Sequence, residues 1–250
     1  MLDVLLLVST AAFVLVGAAV GARLLALARR TRQLTDFIVG ASFFVLAPVA
    51  YPLILATALG DFSLAATRVL AIGSSIAMAA GWAGVFAFTQ RVFRPGTEWA
   101  KALAGAGIAG FAYLLVASVA FDLRAPDVAA LRSLENPVRW FQVPAMCVNA
   151  WTATEGFLCW ANARRRLALG LADPLVVNRF LLWGVVGVSS LCSVAPSFVI
   201  ELAGGDGTAS PLARLSTALS GLACAIALQL AFLPPAGYRR WLLGSQPARA

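Results

Sequence analysis

Apolar residues run along this chain in seven stretches separated by short polar breaks. A helix needs about 20 apolar residues in a row to cross a bilayer core. The pattern predicts helices at 4–28, 34–59, 63–90, 102–121, 141–163, 181–203 and 212–233. The longest connection runs from Asp122 to Trp140, which leaves no room for a second domain. The expected fold is therefore all-α: a single seven-helix transmembrane domain over residues 1–250. Nothing basic precedes the first stretch, and Asp3 stands where a secretion signal needs positive charge, so that stretch reads as a span.

The helices carry the punctuation of membrane helices. Gly17 and Gly21 are four apart, as are Gly73, Ala77 and Gly81, and Ala223, Ala227 and Ala231. Such stripes let backbones approach closely where lipid removes the hydrophobic drive for association. Pro48 and Pro52 are expected to kink the second helix and Pro196 the sixth, freeing backbone groups that a neighbour must satisfy. Asp173-Pro174 is a helix-start signal, with aspartate as cap and proline at the first helical position. Trp99, Trp140 and Trp241 fall at predicted membrane interfaces.

Charge then sets orientation. The chain is 61% hydrophobic, 12% charged and carries a net charge of +8. Basic residues cluster at Arg29, Arg30 and Arg32, at Arg91, Arg94 and Lys101, at Arg164, Arg165, Arg166 and Arg179, and at Arg239, Arg240 and Arg249. These are alternate connections and the C-terminal tail. The other side carries only Arg124, Arg132 and Arg139, all in the long connection. By the positive-inside rule the N-terminus lies outside and the C-terminus in the cytoplasm. The same placement assigns the positive charge to topology and to anionic lipid headgroups, with no role in nucleic-acid binding. Eighteen arginines against one lysine, with abundant alanine, suggest a GC-rich bacterial genome and so the bacterial cytoplasmic (inner) membrane.

The two ends of the chain resemble each other. Val49-Ala50, Ala58, Gly60 and Asp61 match Val194-Ala195, Ala203, Gly205 and Asp206. Arg68 and Arg214 follow at similar distances. Ala26 to Arg30 resembles Ala161 to Arg165. Helices one to three and five to seven therefore read as parallel copies joined by helix four, a 3+1+3 layout.

No recognisable reaction chemistry runs through the chain. It contains no histidine, which removes histidine triads, haem ligation and the commonest metal ligand. Cys147, Cys159, Cys192 and Cys224 lie inside predicted helices as packing residues, without metal spacing. No catalytic function, cofactor or metal is expected. The seven-helix, N-out layout resembles microbial rhodopsins and G-protein-coupled receptors, but Lys101, the only lysine, starts helix four, so helix seven offers no amine for a retinal Schiff base. The 3+1+3 layout resembles SWEET-type carriers, without their Pro-Gln pairs. Arg91 to Pro95 with Trp99-Ala100, Arg164 to Pro174 and Asn178 to Gly184 resemble motifs of an uncharacterised family of bacterial seven-helix membrane proteins. That resemblance implies the fold and no activity.

Two sets of residues remain as candidate chemistry. Glu155 lies inside helix five, where an ionisable group is costly. Asn149, Thr152, Glu155, Gly156, Cys159 and Asn162 share one face of about 140°, which must look into the bundle. Glu155 reads as interhelical hydrogen-bond glue, as a ligand or ion site, or as a proton relay. Arg68, Glu201 and Arg214 lie near the outer ends of their helices, either snorkelling to headgroups or forming a cationic mouth balanced by Glu201. Serines of helices six and seven (among them Ser189, Ser190, Ser193 and Ser216), with Thr217, Gln229 and Tyr51, would line a cavity below it. The expected function is non-enzymatic binding of a small organic molecule or lipid inside the bundle, receptor-like or transporter-like. The alternative is a structural or assembly subunit of a membrane complex.

Overall fold

The structure is a computed structural model that describes residues 1–133, 135–207 and 209–244. Arg249 of the predicted basic tail lies outside the described residues. The elements are α1 (Leu2–Thr31), α2 (Leu34–Val45), a π-helical turn (Leu46–Ala50), α3 (Tyr51–Leu59), α4 (Leu64–Phe93), α5 (Glu98–Arg124) and α6 (Val128–Leu131). A 3-10 turn (Pro137–Phe141) leads into α7 (Gln142–Ala168), α8 (Pro174–Leu202), α9 (Pro211–Phe232) and α10 (Ala236–Gly244). Among the described residues there is no strand.

Among the described residues six helical segments are long and apolar enough to cross a membrane: α1, Leu34–Leu59, α4, α5, α8 and α9. Their surfaces agree, since Leu15, Val69, Val116 and Leu212 are 69–71% exposed. Apolar exposure on that scale suits lipid and is foreign to a water-soluble domain. The chain has the make-up of a multi-pass membrane protein. The predicted fifth span, α7, has the length but not the apolarity, because Asn149, Thr152, Thr154, Glu155 and Asn162 dilute it.

The second helix occupies its predicted range, and its prolines act at their predicted place. Pro48 sits within the π-helical turn and Pro52 opens α3. A proline removes the i→i−4 donor and crowds the preceding turn, and the wider turn absorbs both effects. Asp173 caps α8 as expected, its Oδ1 accepting from the Leu175 N–H at 2.8 Å, with Pro174 next. The helix therefore starts about two turns before the predicted Leu181, because the capped segment through Asn178 and Arg179 remains helical.

The chain divides into two compact units, Gly17–Val148 and Met1–Val16 with Asn149–Ala250. The N-proximal unit is an antiparallel run of the second half of α1, α2–α3, α4 and α5. The predicted glycine stripe of α1 makes the first crossing: a Cβ on Gly17 would lie 2.4 Å from that of Ala47, and one on Gly21 2.8 Å from the Phe44 nitrogen. Only glycine admits that approach. Phe86, Phe111 and Phe141 form the aromatic centre, edge to face at 6.3 and 5.6 Å. A Cβ on Gly107 would strike the Phe86 ring, so α5 closes on α4 there.

In the C-proximal unit α8 packs antiparallel between α7 and α9. Gly156 meets Gly184 and Phe180, while Gly187 meets Asn149 and Ala153. On the other side Ser216 Oγ donates to the Cys192 carbonyl at 2.6 Å, and Thr217 Oγ1 to that of Ser193 at 2.9 Å. Pro196 lacks the N–H that would serve Cys192, so the neighbouring hydroxyl takes its place. The first turns of α1 run parallel to α9. Asp3 pairs with Arg214, and Ser9 fills the notch at Gly221. The alanine stripe of α9 is displaced from prediction: Ala227 and Ala231 are buried, but Ala223 is exposed and Cys224 takes its place.

Candidate functional site

The expected polar stripe of α7 exists as a buried face. Glu155 is the middle residue of this helix, 4% exposed, with Asn149 at 4% and Thr152 at 2% one turn apart. Trp151 Nε1, one turn earlier, donates to Glu155 Oε1 at 3.3 Å. Gly156 and Gly187 bring the backbones of α7 and α8 together beside these side chains. The stripe then opens, with Cys159 half-buried and Asn162 exposed. A carboxyl, an amide and a hydroxyl on one buried face offer oxygen acceptors and hydrogen-bond donors to a polar or cationic group. Among the described residues there is no cluster of three metal-ligating side chains.

The residues of the second expected set belong to different units. Arg214 and Glu201 belong to the C-proximal unit and Arg68 to the N-proximal one. Arg214 binds Asp3. Glu201 lies at the end of α8, where its Oε1 stands 3.0 Å from a Cβ built on Gly207. Arg68 serves backbone: Nε donates to the Asp122 carbonyl and Nη2 to the Ala125 carbonyl, both at 2.9 Å. The guanidinium thus caps α5, placing positive charge on the negative end of a helix dipole. Ser216 and Thr217 are committed to α8 carbonyls, and Gln229 caps its own helix through Leu233.

A polar centre that sequence reading missed surrounds Arg68. Asp122 is 1% exposed, and its Oδ1 accepts from Asn136 Nδ2 at 2.8 Å. Asn136 also donates to the Leu131 carbonyl at 3.1 Å and caps the 3-10 turn through Val138. Arg132 repeats the Arg68 arrangement on α3, donating to the carbonyls of Thr57 and Gly60 at 2.9 and 2.6 Å. The longest connection is thereby a folded clasp over the ends of α3, α4 and α5. Asp122 Oδ2 and Ser118 Oγ, one turn apart on α5, are buried without a hydrogen-bond partner among the described residues. One signal was present in the sequence. An acidic residue in the last turn of a helix opposes the dipole, so Asp122 called for a nearby cation.

Two of the three tryptophans predicted at interfaces carry cations on their faces. Arg94 lies 5.8 Å from the Trp99 ring centre and Arg139 4.8 Å from that of Trp140. No protein-family model, curated protein or solved structure matches the chain.

Proposed function

We propose that this is a seven-span protein of the bacterial cytoplasmic membrane that binds a small organic molecule or lipid inside its helices at the Glu155 face. It acts as a receptor-like or transporter-like protein, without cofactor or catalysis, and belongs with the bacterial seven-helix proteins its arginine-rich connections resemble. The observation that carries the binding reading is the burial of Glu155, Asn149 and Thr152 on one face of α7. Intramembrane ionisable groups are costly and mark substrate and ion pathways. Two glycine pairs that would otherwise favour an assembly subunit are occupied within the chain: Gly17 by Ala47 of the π-helical turn and Gly21 by α2, and Gly156 and Gly187 by α8.

Seven spans are supported by the packing of α7. It runs antiparallel to α8 through Gly156–Gly184 and Ala153–Gly187, and a helix of 27 residues is about 40 Å long. The orientation is supported by charge within the C-proximal unit. The end where α7 leaves and α8 begins carries Arg164, Arg165, Arg166 and Arg179, and Arg239 and Arg240 follow α9. The opposite end carries Asp3, Glu201 and Asp206 with Arg214. The parallel duplication is supported by a glycine crossing in each copy, Gly21 on Gly40 and Gly156 on Gly184. Gly21 precedes Ala26, and Gly156 precedes Ala161, by the same five residues.

Two measurements test these readings. A reporter active only in the cytoplasm will be active after Arg32, Lys101 or Arg166 and silent after Asp61, Asp127 or Asp206. Activity at Asp206 overturns the seven-span topology. For the site, Glu155→Gln keeps an acceptor for Trp151 and should change stability by less than about 1 kcal/mol. Native mass spectrometry in mild detergent should show wild-type protein carrying a small molecule or lipid that this variant has lost. A variant with wild-type melting and the same retained molecules leaves the stripe as helix packing. Co-purification of a stoichiometric protein partner, with no bound molecule, supports the assembly subunit instead.

A further inference from the structure

The C-terminal helix α10 was not expected from the apolar pattern, yet it is folded back on the start of α8. Pro234 and Pro235 end α9. Tyr238 Oη then donates to Asn178 Oδ1 at 3.1 Å. Arg179 follows Asn178 in the chain and Arg239 and Arg240 follow Tyr238, and all three arginines are exposed. Trp241 stacks on Tyr238 with ring centres 5.7 Å apart and is 64% exposed, as Leu243 is 51% exposed. Arg164, Arg165 and Arg166 are exposed at the same end of the unit. Asp173, the acidic residue beside them, is engaged in capping α8.

A short helix presenting arginines together with an uncovered tryptophan and leucine matches a surface that meets headgroups with its charges and acyl chains with its apolar side chains. We propose that α10 and the first turns of α8 form a binding site for the phosphate of an anionic phospholipid, with Arg179, Arg239 and Arg240 facing the headgroup and Trp241 and Leu243 entering the acyl boundary. Charge complementarity selects this occupant, because phosphatidylcholine offers the same apolar contact without net negative charge. Tyr238 is a positioning residue that ties α10 to the start of α8.

The site rests on the membrane reading and not on Glu155. Its test is competitive lipid retention by the full chain in detergent, using an equimolar mixture of phosphatidylglycerol and phosphatidylcholine with identical acyl chains. Wild-type protein should retain phosphatidylglycerol preferentially. Arg239→Gln with Arg240→Gln, both at exposed positions, should cut that preference at least tenfold, since an arginine near a charged surface is worth about fivefold. Tyr238→Phe keeps every charge and should cut it partially. Equal retention of the two lipids by wild type, or an unchanged preference in the double variant, overturns the proposal. Displacement of the lipid by millimolar inorganic phosphate also overturns it, by showing a free-anion site. None of these outcomes depends on the reporter fusions or on Glu155→Gln, so failure here is distinguishable from failure of the functional reading.

Discussion

Gly156→Val will separate α7 from α8 and leave the protein at least 3 kcal/mol less stable, if it inserts and folds at all. A Cβ at Gly156 lands 2.6 Å from the Gly184 nitrogen and 2.9 Å from its Cα, with the Phe180 carbonyl oxygen at 3.1 Å. All three atoms are backbone, and no rotamer change clears them. Overpacking a core against movable side chains costs about 1–3 kcal/mol, and a helix axis yields less readily than a side chain. Gly156→Ala carries the same first collision and should cost about 2 kcal/mol. Gly105→Ala and Gly110→Ala are the controls, since nothing lies within 4 Å of a Cβ there. They should hold or slightly raise stability through helix propensity. Thermal unfolding in one detergent reads all four, and a Gly156→Ala protein melting with wild type would show that the two helices are not in this contact.

Arg68→Ala should destabilise by about 3 kcal/mol, because it removes a charged donor from two carbonyls at the end of α5. The lost groups are the bonds to the carbonyls of Asp122 and Ala125. The clasp formed by Asp127 to Phe141 should loosen with it, and limited proteolysis should cut between Ala125 and Asn136 well before the wild-type protein is touched. Arg68→Lys reaches one carbonyl at a time and should fall between the two. Asp122→Asn should be mild, about 1 kcal/mol, since its carbonyl still accepts from Asn136. Wild-type melting and wild-type proteolysis in Arg68→Ala would return this arginine to a headgroup-facing role.

The polar face of α7 shows how far a one-dimensional pattern reaches. Helical periodicity alone placed Asn149, Thr152 and Glu155 on one side, and all three are buried. The same residues lower the apolarity of α7 until composition alone no longer marks it as a span. The proposal of a seventh crossing there rests on length and neighbours, not on average apolarity.

What the sequence determined by itself are the features whose physics is local. Apolar runs must be helical where no water is present to serve the backbone, so the helices stand close to their predicted places. Pro48 and Pro52 disturb the turn they occupy, and Asp173-Pro174 starts a helix, whatever surrounds them. Other features depended on the identity of the neighbour, and only the tertiary structure decided them. Arg68 reaches carbonyls more than fifty residues away, Asn136 reaches Asp122, and Ser216 serves the carbonyl that Pro196 left free. Tyr238 finds Asn178 sixty residues earlier in the chain. Periodicity names the face of a helix that turns inward, but a hydrogen bond needs a partner within about 3 Å, and only packing brings one there.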